Sequence, residues 1–216
     1  MGIPFRIEIC GGIASGKTTL ANLLKGHAEV VLENFTATPF WEPFYETPGR
    51  YSFEAEVSFL LQHYHQIKRQ RFDGSESITV CDFSYSLDRA YSAVSLEAGE
   101  FRAFEAVYQR VRADSAAPAL LIQLRCSPET QMRRIEARAR RVESGIKLQF
   151  LHSLNTAIDR EIAIASELVP TLSIDSETND FAHDAETKAA CRQQILKKIS
   201  VVESGRGEEV QDSTDG

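Results

Sequence analysis

Residues 11–18 of the chain read Gly11-Gly12-Ile13-Ala14-Ser15-Gly16-Lys17-Thr18, which fits the pattern G-x-x-x-x-G-K-[ST]. The apolar run Phe5–Cys10 comes directly before this stretch, and Thr19–Leu24 after it has the pattern of a helix start. A strand, a glycine-rich loop and a helix N-terminus together form a cradle for phosphate. In it, backbone N–H groups face the anion, the lysine reaches the β- and γ-phosphates, and the threonine hydroxyl can bind Mg²⁺. The stretch therefore predicts a nucleotide-binding loop from Gly11 through Thr19, rather than a glycine turn before an ordinary helix.

Five short apolar runs lack the polar–apolar alternation of half-exposed strands, as expected for parallel strands covered by helices on both faces. They are Phe5–Cys10, Val30–Glu33, Ile78–Asp82, Leu120–Leu124 and Thr171–Asp175. Helical patterns lie between and after them: Phe53 to Ile67, Ser127-Pro128 to about Arg141, about Leu148 to Leu168, and a last stripe of Cys191, Ile195, Ile199 and Val202. The alternation predicts an α/β fold of the P-loop class, with a five-stranded parallel sheet flanked by helices.

Length and composition predict one domain. The chain has 216 residues, of which 43% are hydrophobic and 25% charged, as is ordinary for a globular domain. We assign residues 1–203 to this domain. Residues 204–216 are mostly Gly, Glu, Asp, Ser and Thr, which cannot bury a core, so the sequence predicts a disordered acidic tail there.

The net charge of the chain limits the kinds of molecule that it is expected to bind. A net charge of −7 argues against a nucleic-acid-binding protein, which would carry a basic surface, but allows a small anionic substrate in a local basic pocket. No apolar run approaches the ~20 residues that span a bilayer, so no membrane association is expected. The four cysteines have no C-x-x-C spacing, which predicts buried thiols in a reducing cytoplasm; they are Cys10, Cys81, Cys126 and Cys191.

Two carboxylates end predicted strands. Glu33 ends the second strand and Asp82 ends the third. Because the strand ends of a doubly wound sheet line the ligand crevice, both side chains are expected near the phosphates, unless they are ordinary polar strand ends. Such a pair fits phosphoryl transfer, in which one carboxylate takes the proton of an acceptor hydroxyl and the other holds Mg²⁺ or its water.

Five arginines occur within the nine residues Arg133–Arg141. They form either a solvated basic helix face or a lid that carries arginines over the donor phosphates. Arginine suits the second role because its planar guanidinium binds phosphate oxygens in pairs. We interpret the segment as a lid that stabilises transition-state charge.

Four segments, in the same order, resemble the deoxynucleoside kinases, especially their bacterial deoxyadenosine-kinase-like branch. The resemblance covers about residues 5–181. Besides the glycine-rich loop, it rests on Asn34–Lys68 with its Pro48-Gly49-Arg50 turn, on Asp82–Ala93, and on Arg134–Ile146, which is similar to a lid pattern RIxxRGRxxEQGI. The resemblance implies an ATP-dependent, Mg²⁺-requiring kinase that forms a homodimer.

The resemblance also implies roles for individual residues. Glu33 corresponds to the carboxylate that activates the nucleoside 5′-hydroxyl, and Tyr45 and Glu143 to the pair that binds the 3′-hydroxyl. Asp88 matches an aspartate that contacts the base, and Glu56 stands where many members have a glutamine for the base edge. The lid arginines that act on the phosphates correspond to Arg134, Arg138 and Arg140.

Three departures from the family pattern affect these expectations. Asp82-Phe83-Ser84 replaces an acid-Arg-Ser motif, so Glu33 is expected to face an apolar neighbour with its pKa raised, unless Arg89 reaches across. Ala139 replaces the lid glycine. Glu56, as a carboxylate, only accepts hydrogen bonds, which favours bases with exocyclic amino groups.

The sequence therefore predicts transfer of the γ-phosphoryl group of ATP to the 5′-hydroxyl of a deoxynucleoside. One alternative is another small-molecule kinase, such as a nucleoside monophosphate kinase, which would need more basic residues between positions 40 and 70, where Arg50 is the one early candidate. The other is a degenerate nucleotide-binding protein with a regulatory role, suggested by Phe83.

Overall fold

The computed structural model describes residues 5–70 and 78–212. Its sheet has five parallel strands in the order β2-β3-β1-β4-β5. The strands are β1 (Arg6–Gly11), β2 (Glu29–Val31), β3 (Thr79–Cys81), β4 (Leu120–Arg125) and β5 (Thr171–Asp175). Because β1 lies at the centre, the glycine-rich loop that follows it opens at the middle of the sheet edge. The predicted fold class is confirmed.

Helices cover both faces of this sheet. They are α1 (Lys17–Leu23), α2 (Trp41–Glu46), α3 (Pro48–Gln70), α4 (Tyr85–Ser95), α5 (Ala98–Asp114), α6 (Pro128–Arg138), α7 (Leu148–Ser166) and α8 (Ala185–Asp212), with 3-10 turns at Phe35–Ala37 and Arg141–Gly145. Within residues 5–70 and 78–212, none of the helices is both long enough and apolar enough to cross a membrane.

The core has a layer on each face of the sheet. Ile9 of β1 packs in the layer beneath α1 and α8, whereas its neighbour Cys10 packs in the opposite layer with α4 and α7. Since successive strand residues point to opposite faces, both must be apolar, which explains the unbroken apolar run in β1. The stripe predicted for the last helix is buried, and so are the four cysteines, none of which is in a disulfide.

Two of the predicted strands end earlier than the sequence indicated. Glu33 lies two residues beyond β2 and Asp82 lies one residue beyond β3. The backbone N–H of Glu33 donates to the Asp82 carboxylate at 2.6 Å, so a side chain replaces the strand carbonyl as acceptor and the pairing stops.

Helix α6 begins as predicted and ends earlier. The Ser127 hydroxyl caps its first turn by accepting from the Thr130 N–H, and Pro128 takes the first helical position. The helix ends at Arg138, not near Arg141, because Ala139 has left-handed backbone angles (φ 50°, ψ 37°). This is the position where the lid pattern has glycine, which adopts those angles without a steric penalty.

We expect Ala139→Gly to raise the free energy of unfolding by about 1 kcal/mol, because it relieves the left-handed strain of a residue with a Cβ. Ala163→Gly, at an exposed position inside α7, is the matched control and should lower it by about 1 kcal/mol. Urea unfolding of the three proteins measures both changes. A loss of stability in both variants would contradict strain at Ala139.

Helix α8 extends past Ser204, where the sequence predicts a disordered tail. Its buried stripe ends at Val202, and beyond it the Arg206 guanidinium lies 5.5 Å from the centre of the Phe5 ring. This cation–π contact adds one further stabilising interaction to the polar segment. Because the helix is already formed up to this point, its extension to Asp212 needs no new nucleation. Residues 213–216 of the predicted tail lie outside the described residues.

Candidate active site

A cleft of about 1000 Å³ lies at the carboxyl ends of the strands. The glycine-rich loop, α2, α3, α4, the lid and the β5–α8 connection all contribute to its lining. It brings together most of the predicted site residues: Ile13, Ala14, Ser15, Gly16, Lys17, Thr18, Thr19, Glu33, Tyr45, Glu56, Asp82, Asp88, Arg134, Arg138, Arg140 and Glu143. Gly11 and Gly12, at the start of the loop, do not line the cleft and are buried. Its volume lies at the upper end of the usual range for ligand sites.

The glycine-rich loop needs two of its glycines for geometric reasons. A Cβ on Gly11 would lie 2.8 Å from the carbonyl oxygen of Leu124, a backbone atom that cannot move aside, and Gly16 has a φ of +101°. The Ser15 hydroxyl is buried in the loop and has no hydrogen-bond partner among the residues described. A phosphate oxygen held in the loop would satisfy this hydroxyl.

Lys17 folds back over the loop. Its ammonium group donates to the carbonyl oxygens of Gly11 at 2.9 Å and Gly12 at 3.1 Å. Burial lowers the pKa of Lys17, while the nearby carboxylates of Glu33 and Asp82 oppose that shift. A phosphate group is a stronger acceptor than these neutral carbonyls, so it would take over the ammonium group.

Asp82 joins the loop to the end of β2. One carboxylate oxygen accepts from the Thr18 hydroxyl at 2.6 Å and the other from the Glu33 N–H at 2.6 Å. Burial raises the pKa of Asp82, and the Thr18 bond opposes this shift. The adjacent oxygens of Thr18 and Asp82 fit Mg²⁺, which prefers oxygen and completes its shell with waters and phosphates. In the described parts of the chain no group of three or more His, Cys, Asp or Glu side chains is placed to hold a metal ion.

Glu33 has a cationic partner that the sequence analysis missed. His63 of α3 places Nε2 3.2 Å from the Glu33 carboxylate. Burial alone would raise the pKa of Glu33, but the hydrogen bond and charge of His63, followed by the charge of Lys17, outweigh it and lower the pKa. Glu33 is therefore ionised at neutral pH.

This contact overturns the expectation that Phe83 leaves Glu33 beside an apolar surface. The Phe83 ring stacks on the His63 ring, with centroids 4.1 Å apart and planes 6° apart, so it supports the cation rather than facing the carboxylate. Arg89 does not reach across either. Its guanidinium binds Glu105 at 2.9 Å and Glu161 at 2.5 Å, away from Glu33.

The lid arginines Arg138 and Arg140 are held by an acidic residue. Arg138 donates to both oxygens of the Glu143 carboxylate, at 2.7 and 2.6 Å, and Arg140 lies 3.4 Å from it. Glu143 is buried, and its charge, after burial, helps to raise the pKa of Tyr45. The predicted sugar-binding pair is thus brought together, and Arg138 must exchange partners before it can bind phosphate.

The far end of the cleft carries the predicted base contacts. Glu56 and Asp88 are both buried there, among aromatic side chains of Trp41, Phe59 and Tyr91. Burial, and then the charge of Asp88, raise the pKa of Glu56 well above its usual value. The shift favours the protonated carboxyl, which would donate one hydrogen bond as well as accept, whereas the ionised group only accepts.

Arg134 is less free than a lid arginine was expected to be. It donates to the Ser176 carbonyl oxygen at 2.6 Å and the Ser176 hydroxyl at 3.1 Å, and approaches the Ala14 carbonyl oxygen at 3.4 Å. Its guanidinium lines the cleft and ties the glycine-rich loop to the end of β5.

Comparison with known proteins agrees with this geometry. Residues 7–200 match the family model for deoxynucleoside kinase. Curated relatives include a deoxyguanosine kinase of Bacillus subtilis, 28% identical over 187 residues that cover 82% of this chain and 89% of that protein. Another is a deoxyadenosine kinase of Dictyostelium discoideum, 27% identical over 177 residues that cover 78% of this chain and 71% of that protein.

Among solved structures, a deoxyadenosine kinase from M. mycoides with the products dCMP and dCDP bound superposes with a TM-score of 0.76. The sequence identity is 20%, and the match covers 91% of this chain and 99% of that one. The same kinase with bound dATP superposes with a TM-score of 0.74. At this identity the likeness concerns the fold.

Proposed function

The chain belongs to the deoxynucleoside kinase family and phosphorylates deoxynucleosides, and we propose that it transfers the γ-phosphoryl group of Mg²⁺-ATP to the 5′-hydroxyl. The observation that carries this proposal is the position of Glu33. Its side chain lines one cleft together with the phosphate loop and the Tyr45–Glu143 pair, and its charge acts on both Lys17 and Tyr45. A nucleoside bound to that pair with its base towards Asp88 directs its 5′-hydroxyl to Glu33.

The residues of this cleft have different roles in the proposed reaction. Glu33, ionised because of its lowered pKa, accepts the proton of the attacking hydroxyl. Lys17 moves from its two carbonyl partners to the β- and γ-phosphates, and Arg138 and Arg140 add positive charge from the lid. Thr18 and Asp82 would hold Mg²⁺, which neutralises phosphate charge when bound.

Sugar recognition follows from the buried polar groups around the lid. Glu143 is buried, lines the same cleft as Tyr45 and acts on it through its charge, so one 3′-hydroxyl could bond to both. We further propose that the protein is a cytoplasmic homodimer. An apolar groove between α3 and α5, lined by Leu61, Tyr64 and Val107, supports the dimer, since Leu61 is 46% exposed in the single chain.

The test is a panel of deoxynucleosides, their 2′,3′-dideoxy analogues and deoxynucleoside monophosphates, with formation of ADP and of product measured by chromatography. We expect turnover of at least one deoxynucleoside and none of the monophosphates. The dideoxy analogue should lose about 10-fold or more in kcat/KM, because buried polar groups are left unpaired at about 1–3 kcal/mol. Turnover of monophosphates alone would instead favour a nucleoside monophosphate kinase, and ATP binding without turnover would favour a regulatory protein.

A further inference from the structure

His63 lies between two carboxylates, that of the buried Asp88 and that of the half-buried Glu33. It lies on α3 with its side chain 2% exposed. Its Nδ1 is 2.9 and 3.0 Å from the two carboxylate oxygens of Asp88 on α4, and its Nε2 is 3.2 Å from Glu33 after β2. The His63 ring thus connects Asp88, at the predicted base end of the cleft, with Glu33, the carboxylate proposed to accept the proton of the acceptor hydroxyl.

Both ring nitrogens of His63 face carboxylate oxygens, which only accept hydrogen bonds when ionised. A neutral imidazole has one N–H and could serve only one of them, whereas an imidazolium serves both. Burial would favour the neutral ring, but the carboxylates, Asp88 first, outweigh it and raise the pKa of His63 to about 10. The stacked Phe83 ring fixes the plane in which the two N–H groups point.

We propose that His63 is a positioning residue: as an imidazolium anchored by Asp88 and clamped by Phe83, it holds the Glu33 carboxylate in the orientation that receives the proton of the acceptor hydroxyl. The inference rests on the proposed function of Glu33. It gives the chain a buried cation beside Glu33 without an arginine at position 83. It also links base recognition at Asp88 to the rate of the chemical step.

Two substitutions test the roles of the two ring nitrogens of His63 separately. In His63→Asn the side-chain amide can replace Nδ1–H towards Asp88 but is too short for Glu33, whereas in His63→Gln it can replace Nε2–H towards Glu33. We expect kcat to fall about 10- to 100-fold in His63→Asn, as for loss of a hydrogen bond to a charged group, with the KM for ATP nearly unchanged. The loss in His63→Gln should be several-fold smaller. The control is His65→Asn at an exposed position of the same helix, with wild-type kcat expected.

A role in packing alone would give a different result. It would lower kcat and thermal stability in parallel in His63→Asn and His63→Gln, and that outcome, or a wild-type kcat in His63→Asn, overturns the proposal. Nitrogen-15 NMR of the wild-type protein tests it without a variant. At pH 8 the ring nitrogens of His63 should both carry protons, and a neutral ring there overturns the proposal even if no variant folds.

The proposed function fails separately from this inference. If the wild-type protein turns over no deoxynucleoside, the kinase assignment of the cleft is wrong and the role of His63 falls with it. If the wild-type protein is active but His63→Asn retains its kcat, the assignment stands and the positioning role is wrong.

Discussion

Lys17→Ala should lower kcat by roughly 10³-fold, because it removes a preorganised positive charge from the phosphates at the point where negative charge moves in the transition state. The structure adds a reason for a large effect. The Lys17 ammonium group is half-buried and already held over the loop by the Gly11 and Gly12 carbonyl oxygens, so it needs little reorganisation to bind phosphate. The measurement is the steady-state kcat with a saturating deoxynucleoside and ATP.

The matched control for this prediction is Lys25→Ala. Lys25 is exposed just after α1, so its replacement should leave kcat within about twofold of wild type, as is usual for surface substitutions. Circular dichroism of both variants checks that the fold is retained. A Lys17→Ala enzyme that turns over at a rate near that of wild type would show that the loop does not carry the donor phosphates.

The sequence predicts those parts of the site that depend on local pattern. The glycine-rich loop and its flanking strand and helix are contiguous, so the spacing alone fixes their arrangement. Glu33 and Asp82 are far apart in the chain, but parallel strand ends share one edge of the sheet, and their connection by a 2.6 Å hydrogen bond follows from that rule.

The contacts that an individual side chain makes depend on how the helices pack against each other. These contacts were not predicted correctly from the sequence. Nothing local indicates that Arg89 turns to Glu105 and Glu161 rather than towards Glu33, because this depends on how α4 lies against α5 and α7. His63 was missed for the same reason. The available signal was its position seven residues after Glu56, which puts both on one face of α3 and so in the same cleft wall.

The identity of residue 83 illustrates how such an error arises. Reading Phe83 as the loss of a cation assumed that position 83 alone determines the charge beside Glu33. In the fold, α3 brings His63 against Phe83 and both carboxylates, so the group beside Glu33 comes from another element. The pKa of Glu33 is therefore lowered rather than raised.

Glu33→Gln should lower kcat by about 10²- to 10⁴-fold, since glutamine cannot accept the proton of the attacking hydroxyl. Little change is expected in the KM for ATP, because the phosphate loop is untouched. Glu29→Gln is the matched control, as Glu29 is exposed at the start of β2, the strand that leads to Glu33. Rapid-quench measurement of the first turnover separates the chemical step from product release.

The wild-type pH profile tests the same assignment through the sign of the pKa shift. Glu33 must be ionised to act as a base, and its pKa is lowered in the folded protein, so kcat should be retained down to below the ordinary glutamate pKa of about 4.5 and fall only under it. Because the pKa of His63 is raised to about 10, its ring stays charged across the neutral range. We expect kcat to fall as pH rises through that value. An enzyme whose kcat climbs steadily from pH 6 to pH 9 would instead have Glu33 protonated at neutral pH. In that case His63 would not be charged beside it, and the Glu33–His63 pair could not account for the proton transfer.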